Sequence, residues 1–240
     1  MTTSMDIAIL YFGLTRSTKK VFYSHKYHIT DILEKNNMTY KIFMHTWKTN
    51  DDTQNVLGNK ILQKIDYTEY KLLHPDIYKI DNQDDFLASI DISHYFYKDV
   101  LLTKGSNKDG EWNIDLIKNH LCALESMKRG LEMIPDTFTY VMFIRPDIMI
   151  FNELPIQQML QQMLQHKISI PNNDHYEGLN DRFAMMNYKN ALIYGKRIDE
   201  LAEYRKSNGR IVSEKYVKFI VNKYKIPVNL IDFNFNIIRP

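Results

Sequence analysis

Tyr140-Val141-Met142-Phe143-Ile144-Arg145-Pro146-Asp147-Ile148-Met149-Ile150 is an apolar run broken at its centre by two charges and a proline. The apolar residues before the break suit a strand buried on both faces, the kind that fills the middle of a parallel sheet. Pro146 has no backbone donor for a sheet ladder, so the strand ends or bulges there. Arg145 and Asp147 are thereby left at the carboxyl end of a strand, where open α/β sheets bind their ligands. Two readings of these charges stand: an ion pair closing an ordinary turn, or groups kept for a ligand.

Working outward, residues 115–133 read as a helix with Ile117, Leu121, Leu124 and Leu131 along one stripe, stopped by Pro135. Near the start, Asp6–Phe12 is another continuous apolar run ended by Gly13. A helical stretch follows through Leu33, and a second strand spans residues 40–45 before Thr46 and Trp47. A strand, a helix and a strand open a parallel sheet. A short strand is expected within residues 72–80, while residues 48–60 look loop-like. Residues 81–113 carry many Asp, Tyr and Phe residues, with Gly105 and Gly110 as breakers, and show no clear period.

Beyond the central strand, residues 148–151 resume apolar character, and residues 155–165 form a Gln-rich amphipathic helix. A strand at 168–170 closes at Pro171, and residues 172–182 form a polar loop. A strand at 183–186, a helix at 188–204 and a helix at 213–223 with Ser213 as N-cap follow. Residues 228–233 and 236–238 read as closing strands. No repeat or linker divides the chain. The expected fold is a single Rossmann-type α/β domain over residues 1–240, with a mostly parallel central sheet flanked by helices.

Composition narrows the function. Of 240 residues, 44% are hydrophobic and 25% charged, an ordinary globular balance. Lys and Arg number 31 against 29 Asp and Glu, a net charge of +2, which argues against nucleic acid as the main partner. The lone cysteine, Cys122, excludes a disulfide framework within the chain and a multi-cysteine zinc site. It fits a reducing compartment, so a cytoplasmic location is expected. The apolar run at residues 7–12 is too short to span a membrane and lacks a basic leader, and no other stretch approaches that length. A soluble protein without a membrane segment is expected. Walker and dinucleotide glycine loops, metalloprotease motifs, nucleophile elbows and kinase signatures are absent from the sequence.

Six stretches, taken in order, resemble one family. They are IAILYFGLTR at residues 7–16, IFMHTW at 42–47, Arg145-Pro146-Asp147, Asn180-Asp181-Arg182-Phe183-Ala184, Ser213-Glu214-Lys215-Tyr216 and Ile238-Arg239-Pro240. Together they resemble the GT-A glycosyltransferases, in particular small glycosyltransferase-like proteins of bacteria and large DNA viruses. Residues 53–113 stay largely outside the resemblance. In that family a short acidic motif, usually written DxD, follows a mid-chain strand and holds a divalent cation on the sugar-nucleotide diphosphate. A hard cation there stabilises the leaving group's developing charge. Asp147 matches the motif's last acid, and Arg145 stands where the first would be. The resemblance therefore implies Mn²⁺ or Mg²⁺ at Asp147, with one carboxylate where two are usual. Arg145 could instead meet phosphate directly.

Placement at strand ends, for Gly13 and Arg16 above all, and the resemblance together distribute roles. Gly13, Arg16, Trp47, Asn119, Arg145, Asp147 and Arg239 would bind the donor. Asn180, Asp181 and Glu214 would contact the sugar or acceptor, with Asp181 able to act as base. Asp147 and Asp181 would be the catalytic pair. Each has a plainer reading: a tight turn and solvated side chain at Gly13 and Arg16, and a core aromatic at Trp47. Asp181 could form an Asx turn, Glu214 a first-turn charge favourable to its helix, and Arg239 a solvated tail. Only one of Asn119 and His120 need face a crevice. His45 reads as a core histidine, and the aromatics between Tyr67 and Phe96 as packing or an acceptor platform. The implied activity is transfer of a sugar from a nucleotide-sugar donor, a UDP-sugar foremost, to a hydroxyl of a glycan or glycoconjugate, in the manner of a hexosyltransferase. The alternatives are an inactive glycan-binding or scaffolding protein on the same fold, and a nucleotidyltransferase.

Overall fold

Strict alternation builds the centre of the molecule. The computed structural model describes residues 6–50, 65–95, 114–208 and 211–239. In β1 (Asp6–Phe12), Ile7, Ile9 and Tyr11 enter one apolar cluster, while Ala8, Leu10 and Phe12 enter another on the opposite face. In β4 (Tyr140–Ile144), Tyr140, Met142 and Ile144 share the first cluster, and Val141 and Phe143 the second. Side chains alternate across a strand, so both strands must be covered on two sides, as the unbroken apolar runs require.

These two strands lie side by side in a seven-stranded sheet. The other members are β2 (Thr39–Lys48), β3 (Ile77–Asn82), β6 (Ile168–Pro171), β7 (Phe183–Asn187) and β8 (Val228–Ile231). The order is β3-β2-β1-β4-β7-β6-β8. β7 alone runs against its neighbours; the pairings among β3, β2, β1 and β4, and between β6 and β8, are parallel. The chain winds outward from β1 through β2 to β3, then returns to the other side of β1 with β4. That reversal opens a crevice beyond the carboxyl ends of β1 and β4. The architecture is the expected α/β one, a mostly parallel sheet flanked by helices.

Helices fix the two layers. α1 (Thr18–His25) continues through a wide π turn at Lys26–Thr30 into α2 (Asp31–Lys35). α3 (Gln83–Ser89) starts at Asn82, whose side chain accepts from the Asp84 and Asp85 amides. α4 (Ile114–Leu131) lies across β1, and Gly130 permits that approach, because a Cβ there would run into the Leu10 side chain. α5 (Ile156–Met163) covers the opposite face with Ile156, Met159, Leu160 and Met163.

The sequence reading departs from the structure at several points. The second strand runs on to Lys48 because β3 pairs alongside it through Asn82. Residues 148–151, read only as resuming apolar character, lie outside the main sheet. β5 (Ile148–Ile150) forms a separate antiparallel pair with β9 (Phe235–Ile237). The helix expected over 188–204 is divided into α6 (Tyr188–Gly195), a 3-10 turn at Arg197–Glu200 and α7 (Leu201–Asn208). Side chains divide it: Arg197 Nη1 donates to the Tyr194 carbonyl at 2.6 Å, and the Tyr216 hydroxyl takes the Arg197 carbonyl. α8 (Ser213–Lys223) begins as expected, but Val212 holds the cap position and Ser213 instead donates to Glu214 Oε2 at 2.9 Å. Gly105, Gly110 and Phe96 lie outside the described residues. Among the described residues no helix is long and apolar enough to cross a membrane.

Gly130→Val is expected to lower stability by about 1–3 kcal/mol, through overpacking of α4 on β1. Urea unfolding checks this, and Gly130→Ala is expected to cost less.

Candidate functional site

At the end of β1 the chain turns at Gly13, whose φ of 97° favours glycine. The Gly13 amide donates to Ser126 Oγ on α4 at 2.8 Å. Ser126 Oγ also lies 2.8 Å from His45 Nδ1, and His45 Nε2 lies 3.1 Å from Asp81 Oδ2. Asp81 is held in turn by Arg129 at 2.6 Å and Lys79 at 3.1 Å. Burial pushes His45 down to about 4, so the ring is neutral at neutral pH. Burial would push the Asp81 carboxyl up, but Arg129, His45 and Lys79 hold it well below the usual range. Nε2 therefore donates to the ionised Asp81, while Nδ1 lies against Ser126 Oγ, whose hydroxyl donates to the His45 carbonyl at 2.9 Å. This serine–histidine–aspartate chain is not a nucleophile: Ser126 is fully buried and takes the Gly13 amide. It pins the turn after β1. The plainer reading of His45 therefore holds, and the Gly13 amide is turned to Ser126.

The break after β4 is held more tightly. Asp147 is buried at 1% exposure. Arg145 binds it with Nε–Oδ1 at 2.8 Å and Nη2–Oδ2 at 2.6 Å, the paired geometry of a guanidinium on a carboxylate. Arg16, from the segment after β1, adds Nη2–Oδ2 at 3.2 Å. Burial alone would raise the Asp147 carboxyl; the two guanidiniums outweigh it and hold it at about 2. The backbone around the break is equally committed. The Arg145 amide donates to the Arg182 carbonyl at 3.1 Å, Thr18 Oγ1 to the Pro146 carbonyl at 3.3 Å, and the Ile238 amide to the Asp147 carbonyl at 2.8 Å. His25 Nε2 lies 2.8 Å from the Ile148 carbonyl, and burial pushes this ring down to about 4, so a neutral imidazole donates there.

A third wall comes from the loop over residues 172–182 and the start of α8. Arg182 reaches Glu214 Oε1 at 3.4 Å, Asp174 Oδ2 at 3.4 Å and Asp181 Oδ1 at 4.0 Å. Burial, and then the Asp181 carboxylate, raise Glu214 above the ordinary glutamate value. Asp174, Tyr176 and Glu177 all have positive φ, and Gly178 lies so close to the Glu214 backbone that no side chain would fit. The Leu179 amide donates to the Glu214 carbonyl at 2.9 Å, fastening the loop to the helix.

These walls enclose one crevice of about 220 Å³ at the reversal of strand order. Gly13, Arg16, Trp47, Asn119, Arg145, Asp147, Asp181, Glu214 and Arg239 all line it. Asn180 does not; it is fully buried, bonding Asn173 through its amide and the Arg182 amide through its oxygen, so it staples the loop. Trp47 presents only an edge, at 1% exposure, because Phe86 stacks on it at 5.5 Å and the Arg129 guanidinium sits 5.1 Å from its ring. No face is left for a base, and its ring nitrogen donates to the Cys122 carbonyl at 2.9 Å. Asn119 and His120 both line the crevice, His120 pushed down to about 4 by burial. Tyr70 and Tyr78 pair with each other at 4.7 Å, away from this lining.

Arg182 and Ser126 carry geometry that the sequence did not assign them. Arg182 stood inside a quoted stretch without a role, and nothing in the spacing of Ser126, His45 and Asp81 ties them together.

The residues present do not fit a protein-held Mn²⁺ or Mg²⁺. Asp147 is the only acid of the motif, and guanidiniums occupy both its oxygens. A dication approaching it would meet two fixed cations. Among the described residues, no group of three or more His, Cys, Asp or Glu side chains is placed to hold a metal ion.

The fold and site define an α/β protein with an arginine-lined crevice at its sheet switch point. No protein-family model matches the chain, and no curated protein matches it. Among solved structures, apo mouse xyloside xylosyltransferase 1 superposes with a TM-score of 0.43 and 8% identity, over 95% of this chain and 85% of that one. The "putative nucleotide-diphospho-sugar transferase" from Desulfovibrio desulfuricans G20 superposes with a TM-score of 0.43 and 11% identity, over 96% and 80%. Similarity at this level does not determine what this chain binds.

The Asp147 carboxylate contributes stability that is complete above its unfolded value of 3.8 and lost as the pH falls towards about 2. That amounts to about 2 kcal/mol. Urea titrations are expected to show Asp147→Asn less stable than wild type at pH 6, with the gap closing towards pH 2. A gap that does not change with pH contradicts the ion-pair assignment.

Proposed function

We propose that the protein is a glycosyltransferase that moves a sugar, a hexose foremost, from a nucleotide-sugar donor to a hydroxyl of a glycan or glycoconjugate. The observation that carries this reading is one crevice, at the switch point between β1 and β4, lined by the guanidiniums of Arg16, Arg145, Arg182 and Arg239 together with the carboxyl groups of Asp147, Asp181 and Glu214. Breaking the bond between sugar and nucleoside diphosphate develops negative charge on the leaving phosphate. Guanidiniums already fixed in the crevice would stabilise that charge with little reorganisation. Arg16, Arg145 and Arg239 supply them.

The carboxyl groups of Asp181 and Glu214 support the complementary half of the chemistry. Asp181 lines the crevice next to Glu214 and is suited to accept the proton of an attacking hydroxyl. Glu214, which accepts from Ser213 and Arg182, lines the same wall and can accept a hydrogen bond from a sugar hydroxyl. Arg182, contacting both, holds the pair in place. Gly13 and Leu14 on one side, with Asn119 and Ala123 of α4 on the other, form the end left for the nucleoside, and a UDP-sugar is the first candidate.

A second reading is favoured by one feature. Asp147, the acid expected to act, is neutralised by its partners. A sugar-nucleotide-binding protein without turnover would show the same arrangement.

Thermal-shift screening against UDP-, GDP- and dTDP-sugars and nucleoside triphosphates is expected to show stabilisation by a nucleotide sugar, followed by release of free nucleotide on adding acceptor. Stabilisation without release supports the second reading, and preference for a triphosphate supports a nucleotidyltransferase. Asp181→Asn is expected to lower turnover by roughly 10²–10⁴-fold, with donor affinity held within a few-fold. An unchanged rate removes Asp181 from the chemistry.

A further inference from the structure

Charge is unequally distributed along the crevice. Beside the broken strand, Arg16 and Arg145 gather on Asp147 with Arg239 close by, while Asp181, which also acts on Arg145, and Glu214 meet Arg182. Both oxygens of the Asp147 carboxylate are taken by Arg145 and Arg16. Arg239 pairs with no carboxylate among the described residues, yet its position is built in. The preceding amide, Ile238, donates to the Asp147 carbonyl at 2.8 Å, and β9 is zipped onto β5 directly after Asp147. The last described residue of the chain is thus delivered by backbone hydrogen bonds to the turn that carries the other two cations.

We propose that this part of the crevice binds a diphosphate through guanidinium groups alone, with Asp147 as their buried counterion and no bridging divalent cation. The assignment rests on the nucleotide-sugar reading for the rest of the ligand, but not for the diphosphate. Across the lining, four guanidiniums stand against three carboxyl groups, and Arg239 adds a cation beside the already paired Arg16 and Arg145, a positive surplus that a diphosphate offsets. Guanidiniums present forked donors that match phosphate oxygens, and they keep their charge when partly buried. Burial and the neighbouring Arg16 and Arg145 pull Arg239 below its ordinary value, the response expected of a cation among cations. Asp147 holds the Arg145 and Arg16 guanidiniums in place while both stay partly exposed at the crevice. Its removal takes away negative charge, not a ligand.

The two accounts of Asp147 predict opposite responses. Isothermal titration of the full chain with inorganic pyrophosphate and with UDP, in EDTA and in Mn²⁺ at matched ionic strength, reads them directly. Expected are measurable binding of both probes in EDTA, affinities in EDTA and Mn²⁺ within about threefold, and a loss of about tenfold or more in Arg239→Gln, the scale of one charge-assisted contact. Pyrophosphate is expected to raise the melting temperature of Asp147→Asn at least as much as that of wild type. The variant lacks the counterion, so it gains more from a bound anion. Should Asp147→Asn fail to fold, the EDTA comparison and Arg239→Gln still decide. Binding of the probes only in Mn²⁺, no binding of either probe, or an unchanged affinity in Arg239→Gln overturns the proposal. Pyrophosphate binding in EDTA with no response to any nucleotide sugar keeps the guanidinium site and removes the nucleotide-sugar reading.

Discussion

A buried carboxylate shared by two guanidiniums organises this protein. Asp147 follows β4, Arg145 ends it, and Arg16 follows β1, so their contacts tie the ends of the two central strands together. A charge at 1% exposure is strongly disfavoured unless paired and hydrogen-bonded. The pairing therefore requires the turn after β4, the turn after β1 and the approach of β9 to be in place together. Pro146 makes the arrangement possible by stopping the strand where its ladder would otherwise continue. The crevice is what remains when two strand ends are fixed and the chain between them has wound away to β2 and β3.

The surrounding contacts serve the same geometry. Ser126, His45 and Asp81 hold the turn at Gly13 from the side of α4. His25, Ser24 and Thr18 hold β5 and the Pro146 carbonyl from the side of α1. Arg182 gives its carbonyl to Arg145 and its guanidinium to the carboxyl wall, so the turn at Arg145 and the carboxyl wall share one residue. A shift in the loop over residues 172–182 would move both at once. The three non-glycine residues at positive φ in that loop hold it in an uncommon conformation, against Gly178 and the Glu214 backbone.

Much of the frame was legible in the sequence because its signals are local. The bounds of β1 and β4 follow from unbroken apolar runs, and Pro146 marks the break. Where β1, β4 and Arg145-Pro146-Asp147 sit implied the site, and most of the named residues do meet in one crevice. What the sequence could not carry is which partner a side chain finds across the fold. Trp47 looked available for stacking, but Phe86 and Arg129 cover it. Asn180 looked like a substrate contact, but its hydrogen bonds close its own loop. The break in the helix after Gly195 comes from Arg197 and Tyr216, residues whose contacts have no periodic signature. The family resemblance pointed to a metal at Asp147, whereas the fold brings Arg16, 131 residues away in sequence, onto that carboxylate.

The central claim is that a diphosphate lies across the ends of β1 and β4 on arginine side chains. A crystal structure of the protein with UDP, prepared in chelator, tests it most directly. The account predicts phosphate oxygens within hydrogen-bonding distance of Arg16, Arg145 and Arg239, with Asp147 still paired to its arginines. A nucleotide bound elsewhere, or a cation set between Asp147 and the phosphates when metal is restored, would contradict it.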